Sequence, residues 1–505
     1  MKRRYAKRAA LCAVLLLAGL LLGGCSGMIQ ERAMSGLSDV AIEAGVPAPV
    51  QDGADMTSVM ATLYFLSDDG AELMPVTREI EMQAGSSRAQ AVLETLLEGP
   101  AESEKGAFWP ELGTSRSERF MEISGGVATV DLPAHTRTLP QEMLYAVRMA
   151  IAVTLTELRD VSYVNVLIGG REEGLDLGAT MPVGTFSRLE DRQARQRYNR
   201  LNEQRMSGGG VTILTTLYFP SADGRMILPE VRSVSYAQAA PIEYLYTLLD
   251  EMGKGTTNEL ACASVPAPMD YIEEMPEIVR TEDGYLAIEL QLGGGLDRAL
   301  KEAGLTRAVY AAMLTDTLMG FVPGVEGLKI YIDSQPVTGF AQEETPDGRE
   351  ILLQKTLATR GDFEGFVGAP VTLYVMGDGG LRRMQFVLPQ QNAFDPRERL
   401  LGLMRCTQEE DAFALPPGLE NKDILAVHMG AETIAVNLSG AFARAVSALS
   451  HRYERAAVYA MVNTLTEESR ISRVVFFFDG AQSESLAGGL EMRGAFVRNP
   501  GMVVN

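Results

Sequence analysis

The chain has 505 residues, with 45 basic and 66 acidic side chains and a net charge of −21 at pH 7. Its length suggests about three domains. This acidic balance argues against binding of nucleic acid and against lying flat on an anionic membrane, because both need basic surfaces.

The N-terminus has the order of a bacterial lipoprotein signal. A basic region at residues 2–8 precedes the apolar run Leu11–Leu22, which is shorter than the ~20 residues of a membrane span. The run ends in Gly23-Gly24-Cys25, which resembles a lipobox whose cysteine receives a diacylglycerol. We predict a signal peptide at 1–24, lipid attachment at Cys25, and a membrane-anchored chain whose body lies on the extracytoplasmic face. An ordinary signal with an incidental cysteine is the alternative.

Removal of residues 1–24 takes away five basic and no acidic residues, which leaves 40 against 66, or −26. Residues 25–56 have mixed composition and no sustained period, so we predict a tether there. The linker at 189–210 is a solvated helix followed by three glycines. Its arginines, Arg192, Arg195, Arg197 and Arg200, belong to a polar connector or, alternatively, to a basic docking patch.

One unit is repeated three times. Thr62-Leu63-Tyr64 recurs at residues 216–218 and again at 372–374, each time before an Asp-Gly turn. Units 1 and 3 keep one offset along their length, because Thr62 to Thr372, Thr154 to Thr464 and Gly184 to Gly494 are all shifts of 310. In unit 2 the counterpart of Thr154 is Thr317, nine residues late relative to Thr216. A repeated surface is therefore expected to carry function.

Each unit is predicted to run strand, strand, helix, strand, strand, helix, strand. In unit 1 a hairpin at 61–82 precedes a helix with its apolar stripe at Ala89–Leu97, capped by Ser86 or Ser87 and stopped by Gly99-Pro100. A second hairpin crosses Gly125-Gly126, a second helix covers 141–157, and Val161–Ile168 is a central strand. The tails at 181–188 and 491–498 are predicted to add an edge strand.

The pattern gives an α+β fold: three tandem small domains, each a mixed β-sheet with helices on one face. The predicted divisions are a signal at 1–24, a tether at 25–56, domain 1 at 57–188, a linker at 189–210, domain 2 at 211–337, a hairpin extension at 338–367, and domain 3 at 368–505.

No residue pattern typical of an enzyme is present. The histidines, His135, His428 and His451, do not repeat at equivalent positions, and no GxSxG, HExxH or Walker A motif occurs. Asp131, Glu289 and Asn437 share one place in the three second hairpins. A glycosidase needs two carboxylates, the third copy here is an amide, and strand alternation predicts that all three face solvent.

Other candidate site residues also favour structural interpretations. Gly293-Gly294-Gly295 lacks the following lysine of a phosphate loop, so a flexible joint is favoured, and Trp109 is read as a loop or core residue. Cys262 and Cys406, the cysteines of the body, are read as buried thiols rather than a bridge. We predict no catalytic residue, cofactor or metal site.

These units resemble the GerMN domain of spore germination and sporulation lipoproteins. The resemblance is carried by the strand at 62–65, the segment Leu93–Pro100, Val127–Leu132, and Thr154-Leu155-Thr156-Glu157 with the strand Val164–Ile168. It is weaker in unit 2, which has Met252-Gly253-Lys254-Gly255 in place of Gly-Pro.

The resemblance implies a fold like that of ring-building motifs and a non-enzymatic role at the envelope of a Gram-positive, spore-forming cell. The expected partners are envelope or sporulation-complex proteins, with the membrane reached through Cys25. A peptidoglycan-binding or glycan-binding envelope module is the alternative.

Overall fold

The computed structural model describes residues 52–504 apart from 69, 71, 114–118, 176–180, 189–190, 378, 407–413, 468–469 and 488. The predicted signal and Cys25 therefore lie outside the described residues. Among the residues that are described, no helix combines the length and the apolarity that a membrane span requires.

Unit 1 opens with a long antiparallel hairpin. Its elements in chain order, after the two-residue β1 (Gly53–Ala54), are β2 (Met56–Ser67), β3 (Leu73–Gln83), α1 (Arg88–Leu97), β4 (Ala107–Phe108), β5 (Met121–Ser124), β6 (Val127–Leu132), α2 (Gln141–Thr156), β7 (Tyr163–Ile168) and β8 (Phe186–Ser187). Ser87 caps α1, because its hydroxyl accepts a bond from the Gln90 N–H at 3.3 Å. Gly125 and Gly126 both have positive φ, as their tight turn requires.

Unit 2 follows a charged helix, α3 (Asp191–Ser207). Its elements are β9 (Val211–Pro220), β10 (Ile227–Tyr236), α4 (Pro241–Gly253), β11 (Ile272–Arg280), β12 (Leu286–Leu292), α5 (Leu296–Glu302), α6 (Arg307–Met319), β13 (Val325–Ile332) and β14 (Gln335–Pro336). The predicted hairpin extension is confirmed by the pairing of β15 (Gly339–Phe340) with β16 (Ile351–Leu352).

Unit 3 repeats the plan. Its elements are β17 (Gly368–Gly377), β18 (Gly380–Pro389), α7 (Pro396–Cys406), β19 (Ile424–Met429), β20 (Thr433–Leu438), α8 (Gly440–Ser447), α9 (His451–Leu465), β21 (Arg473–Phe478) and β22 (Phe496–Val497). The carboxylate of Asp395 caps the start of α7, because it accepts a 2.8 Å bond from the Arg397 N–H.

The α+β class is confirmed, and within each unit the strands divide between two sheets. In unit 1, β3-β2-β4 form one sheet and β5-β6-β7-β8 the other, with β6 and β7 parallel and the outer pairs antiparallel. The predicted edge strands are confirmed as β8 and β22. Helix α2 packs on both β2 and β7, so it is buried on nearly all sides rather than along one stripe.

One hydrogen bond joins the first hairpin of every unit to the last long helix of that unit. The backbone N–H of the tyrosine in each Thr-Leu-Tyr strand donates to a threonine hydroxyl on the second long helix. The pairs are Tyr64 with Thr154, Tyr218 with Thr317, and Tyr374 with Thr464, each at 3.0 Å. The nine-residue lag of Thr317 thus leaves this contact intact, and buried backbone donors need such partners.

The apolar core is divided unequally among the units. Units 1 and 2 share one continuous core, whereas unit 3 has its own, which Ala84 of unit 1 joins at the edge. Cys262 and Cys406 are both buried free thiols, as predicted. Units 1 and 2 therefore form one packed body, to which unit 3 is attached.

Candidate interaction surfaces

Units 1 and 3 carry the same polar cluster beside the Thr-Leu-Tyr strand. In unit 1 the Tyr64 hydroxyl lies 3.4 Å from the Glu157 carboxylate, which Arg188 approaches to 3.3 Å. Arg188 is 70% exposed and Glu157 is 40% exposed, so this cluster is open to a partner.

In unit 3 the residues 310 positions later form a tighter version of the cluster. The Tyr374 hydroxyl donates to Glu467 at 2.8 Å, and Arg498 contacts both groups. Burial, followed by the bond to Glu467, raises the pKa of Tyr374. The hydroxyl therefore stays protonated and keeps its bond to Glu467.

In unit 2 the tyrosine at the equivalent position is buried and contacts unit 1 instead. Tyr218 is 2% exposed, and its hydroxyl lies 3.2 Å from the hydroxyl of Thr129 in unit 1. The counterpart of Glu157 is Gly320, three residues after Thr317 as Glu157 is after Thr154. Gly320 is buried, and a Cβ there would lie 2.8 Å from the carbonyl oxygen of Asp316 in unit 2 and 3.8 Å from the amide nitrogen of Asn165 in unit 1, so little space is left for a longer side chain.

A buried group of four charges joins unit 1, unit 2 and the hairpin extension. Arg119 bonds to Glu122 at 2.8 Å through two nitrogens and to Asp316 of unit 2 at 2.5 and 3.0 Å. Arg360 completes the group with a 3.0 Å bond to Glu122. Two cations and two anions balance, and the neighbouring carboxylates hold the pKa of Arg119 above its usual value despite its burial.

A second set of contacts widens the joint between units 1 and 2. The Glu172 N–H donates to the Met319 carbonyl at 2.9 Å, Arg171 pairs with Glu326, and the Thr185 and Thr216 hydroxyls lie 2.8 Å apart. Burial raises the pKa of the Glu172 carboxyl, although Arg148 opposes that rise. The relative placement of these two units is thus fixed by backbone as well as side-chain bonds.

The end of the predicted tether is an ordered strap on unit 3, which corrects the tether assignment for its last residues. Strand β1 pairs in parallel with β19. The Asp52 carboxylate accepts bonds from Arg397 at 3.0 Å and from the Val427 N–H at 2.8 Å, and Asp55 lies 3.0 Å from His428. A two-residue strand is too short for sequence periodicity to reveal.

A cleft of about 590 Å³ opens where the strap, unit 1 and unit 3 meet. Its lining includes Gln83, Gln390 and Gln391, whose side-chain amides make no hydrogen bond within the described part of the chain, together with the half-buried ring of Phe394. The cleft has the size of a small-molecule site.

The expectation that Asp131 and Asn437 face solvent is wrong. Asp131 is 4% and Asn437 is 5% exposed, and each accepts a bond from a glycine N–H after the last strand: Gly170 at 2.7 Å and Gly480 at 3.0 Å. Alternation failed because both faces of β6 and of β20 are buried. Glu289 is half-buried and takes a 3.2 Å bond from Gln291.

The remaining sequence candidates are scattered. His135 lies in a short 3-10 turn at Ala134–Thr138, His428 in β19 and His451 at the start of α9. A Cβ at Gly293 would lie 2.0 Å from a carboxylate oxygen of Glu273, an acidic neighbour unsuited to a phosphate loop. Trp109 is half-buried and packs edge-on against Phe65 at 6.0 Å.

Two of the four linker arginines, Arg197 and Arg200, have described side chains. Arg197 lies 4.4 Å over the Phe186 ring and donates to the Val183 carbonyl at 2.5 Å, so it fastens α3 to unit 1. Arg200 is exposed, and the side chains of Arg192 and Arg195 lie outside the described part. Within that described part, no group of three or more His, Cys, Asp and Glu side chains is arranged to hold a metal ion.

The sequence analysis missed an arginine, repeated in units 1 and 2, that binds a backbone carbonyl just after the first helix. Arg78 lies 5.1 Å over the Phe65 ring and bonds to the Gly99 carbonyl, and Arg232 lies 5.0 Å over Phe219 and bonds to Gly255. Both arginines stand 16 residues after the threonine of the Thr-Leu-Tyr strand, since 78 − 62 and 232 − 216 are equal. This shared 16-residue spacing could have identified the two arginines as equivalent from the sequence.

These features define a protein of tandem α+β modules that contact one another and offer repeated surfaces. Residues 62–174 and 372–484 match the family described as Germane: Sporulation and spore germination. Units 1 and 3 thus each contain a segment similar to this sporulation and germination family, which confirms the resemblance predicted from the sequence.

Solved structures with similarity to the chain include the tandem GerMN domains of the sporulation protein GerM from Bacillus subtilis, at 13% identity and a TM-score of 0.21, covering 57% of this chain and 98% of that one. The first GerMN domain of the same protein matches at 17% identity and 0.21, covering 26% and 98%. A putative lipoprotein from Clostridium perfringens matches at 17% identity and 0.19, covering 28% and 92%. No curated protein matches the chain.

Proposed function

We propose that this protein is a non-enzymatic, lipid-anchored envelope protein that supports assembly of a sporulation or germination complex through protein contacts. The observation that carries the proposal is the family match of units 1 and 3, which are held in fixed relation by the packed unit 2 and the strap. The anchor would be the diacylglycerol on Cys25, with the body on the extracytoplasmic face.

The polar clusters of units 1 and 3 support contact with another protein. In unit 2 the same position binds a neighbouring unit, because Tyr218 contacts Thr129. An equivalent position that is open, as at Tyr64, Glu157 and Arg188, offers similar chemistry to a partner from outside the chain. Partly exposed charged and aromatic groups of this kind set specificity at protein interfaces.

The test is deletion followed by complementation in a spore-forming host. We expect deletion to lower the count of heat-resistant or germinating spores with normal vegetative growth. The wild-type chain should restore the count, whereas a Cys25→Ala chain should not. Normal spores in the deletion strain, together with no envelope or sporulation protein captured by the tagged chain, would reject the proposal.

A surface variant locates the contact. Arg188→Glu reverses one charge of the unit 1 cluster at a 70% exposed position, and Arg298→Glu makes the same change at an 81% exposed position in unit 2. We expect capture of the partner to fall with the first variant and to persist with the second. Equal capture by both would place the contact elsewhere.

Glycan binding is the second candidate, and the cleft favours it. Unpaired amides beside an aromatic ring suit a neutral ligand rich in hydroxyl groups, and Gln83, Gln390 and Phe394 supply them. Sedimentation of the chain with purified sacculi tests this function. Binding that Gln83→Ala with Gln390→Ala abolishes would support it, and a chain that stays in the supernatant would remove it.

A further inference from the structure

A smaller cavity of about 210 Å³ lies in the seam between units 1 and 3, next to the cleft. Arginines from both units line it: Arg88 and Arg159 from unit 1, and Arg470 from unit 3. Among the described residues that line it, Asp160 is the one acidic group. Three cations and one anion give the lining a charge of +2, in a chain whose overall charge is −21.

The two arginines of unit 1 have no charged partner among the described residues. Arg88 and Arg159 make no ion pair there, whereas Arg78, Arg119 and Arg232 each do. The Arg88 Nε atom is buried and has no hydrogen-bond partner there. Burial of an unpaired donor is unfavourable, so a ligand that accepts its bond would remove that cost.

Units 1 and 3 carry opposite charges at one equivalent position of this cavity. Asp160 and Arg470 occupy the same position in units 1 and 3, because 160 + 310 is 470. Both line this one cavity, so the change from acid to base in unit 3 turns a balanced lining into a cationic one.

We propose that the seam cavity of Arg88, Arg159 and Arg470 binds a phosphate monoester. Guanidinium groups from two units can donate to a tetrahedral dianion from several sides, whereas a planar carboxylate matches a single fork. A dianion also balances the +2 lining. Ser86 and the start of α1 lie at the same wall and add polar groups.

The phosphate can come from a soluble ester or from a lipid headgroup. The cavity shares Ala84, Gly85 and Met429 with the cleft, and the strap that leads back toward Cys25 lines that cleft. The 27 residues from Cys25 to Gln51 can span up to ~90 Å when extended, so a membrane surface is within reach.

The experiment titrates glycerol phosphate into the full-length chain carrying Cys25→Ala, with calorimetry as the readout. We expect saturable binding that weakens at least about tenfold in Arg88→Gln with Arg159→Gln, because each change removes a charged hydrogen bond. The matched control, Arg298→Gln with Arg493→Gln, neutralises two exposed arginines far from the seam in sequence and should bind as the parent does.

Two further measurements identify the source of the phosphate and check that the variant is folded. Competition with phosphatidic acid vesicles, against phosphatidylcholine vesicles, separates a lipid headgroup from a soluble ester, and displacement by either phosphate source supports the site. Thermal unfolding checks that the double variant is folded, and Arg88→Lys with Arg159→Lys should recover part of the affinity. Absence of saturable binding by the parent, or equal affinity in parent and double variant, overturns the proposal.

Discussion

Unit 2 differs from units 1 and 3 at a position that all three share. Tyr64 and Tyr374 join a glutamate and an arginine in polar clusters, whereas Tyr218 is packed against Thr129 and faces a glycine. The backbone contact behind the tyrosine is the same in all three units at 3.0 Å. The comparison teaches that the three units keep the same backbone contact, while the surface beside it is exposed in unit 1, partly exposed in unit 3 and buried against unit 1 in unit 2.

The largest expected effect is at the buried charges that hold unit 2 against unit 1. Arg119→Met should lower the free energy of unfolding by about 3–5 kcal/mol, because it leaves Glu122 and Asp316 buried with one fewer cation. Chemical denaturation measures the loss. Arg298→Met at an exposed site is the control, with a change within about 0.5 kcal/mol. A loss below about 1 kcal/mol for Arg119→Met would contradict the assigned role of the joint.

The second largest loss of stability is expected when the residues at the position of Gly320 and Glu157 are exchanged between unit 2 and unit 1. Gly320→Glu places in unit 2 the acid that units 1 and 3 have, but at a buried position where a Cβ would already lie 2.8 Å from the Asp316 carbonyl oxygen, and should cost about 3 kcal/mol. Glu157→Gly, the reverse change at the 40% exposed residue that follows α2, should cost at most about 1 kcal/mol, because it removes only a partly exposed ion pair. If the two changes cost the same, burial of this position is not what distinguishes unit 2.

The hydrogen bond from the tyrosine N–H to the threonine hydroxyl should contribute equally to the free energy of unfolding in every unit. Thr154→Val, Thr317→Val and Thr464→Val each remove a buried hydroxyl and leave a tyrosine N–H unpaired, at a cost of about 1–3 kcal/mol. Urea denaturation of each full-length variant gives the values. A loss confined to one unit would show that the shared contact is incidental in the others.

The smallest effect is a pH dependence that units 1 and 2 share. The bond from Arg78 holds the pKa of Glu104 below its ordinary value. Burial alone would raise the pKa of Glu230, but bonds from Thr256 and Arg232 outweigh it and lower that pKa. A depressed folded pKa gives stability that is present above the unfolded value of ~4.3 and is lost as the pH falls through the folded value.

Glu104→Gln and Glu230→Gln should therefore lose less stability between pH 7 and pH 3 than the parent chain does. Unit 3 has Leu388 where unit 1 has Arg78, since 78 + 310 is 388, and it should not share this dependence. Denaturation curves at several pH values test the difference. Parallel profiles for parent and variants would show that these carboxylates do not titrate differently in the folded state.

Local patterns predicted the elements of each unit closely. The hairpin across Gly125-Gly126 was predictable because positive φ favours glycine, and the start of α1 because Ser87 can accept a bond from the N–H of Gln90. The strands at 424–429 and 433–438 coincide with apolar runs of the sequence. Such features depend on residues a few positions apart, so a single sequence contains them.

The faces of those elements were harder to predict. Asp131 and Asn437 were expected to face solvent from strand alternation, and both are buried, because alternation assumes that one sheet face meets water. The strap was missed for a related reason: its partners, Arg397 and Val427, lie 345 and 375 residues away from Asp52.

The sequence by itself determined the repeat, the α+β class and the order of the long helices and strands, since turn residues and hydrophobic periods act locally. The short helices α5 and α8 of units 2 and 3 were not predicted. The tertiary structure decided which copies of a shared position are buried, how Arg119 meets Asp316, and where the three seam arginines come together. Those outcomes depend on the packing of one unit on another, and the free energy of that packing comes from residues hundreds of positions apart.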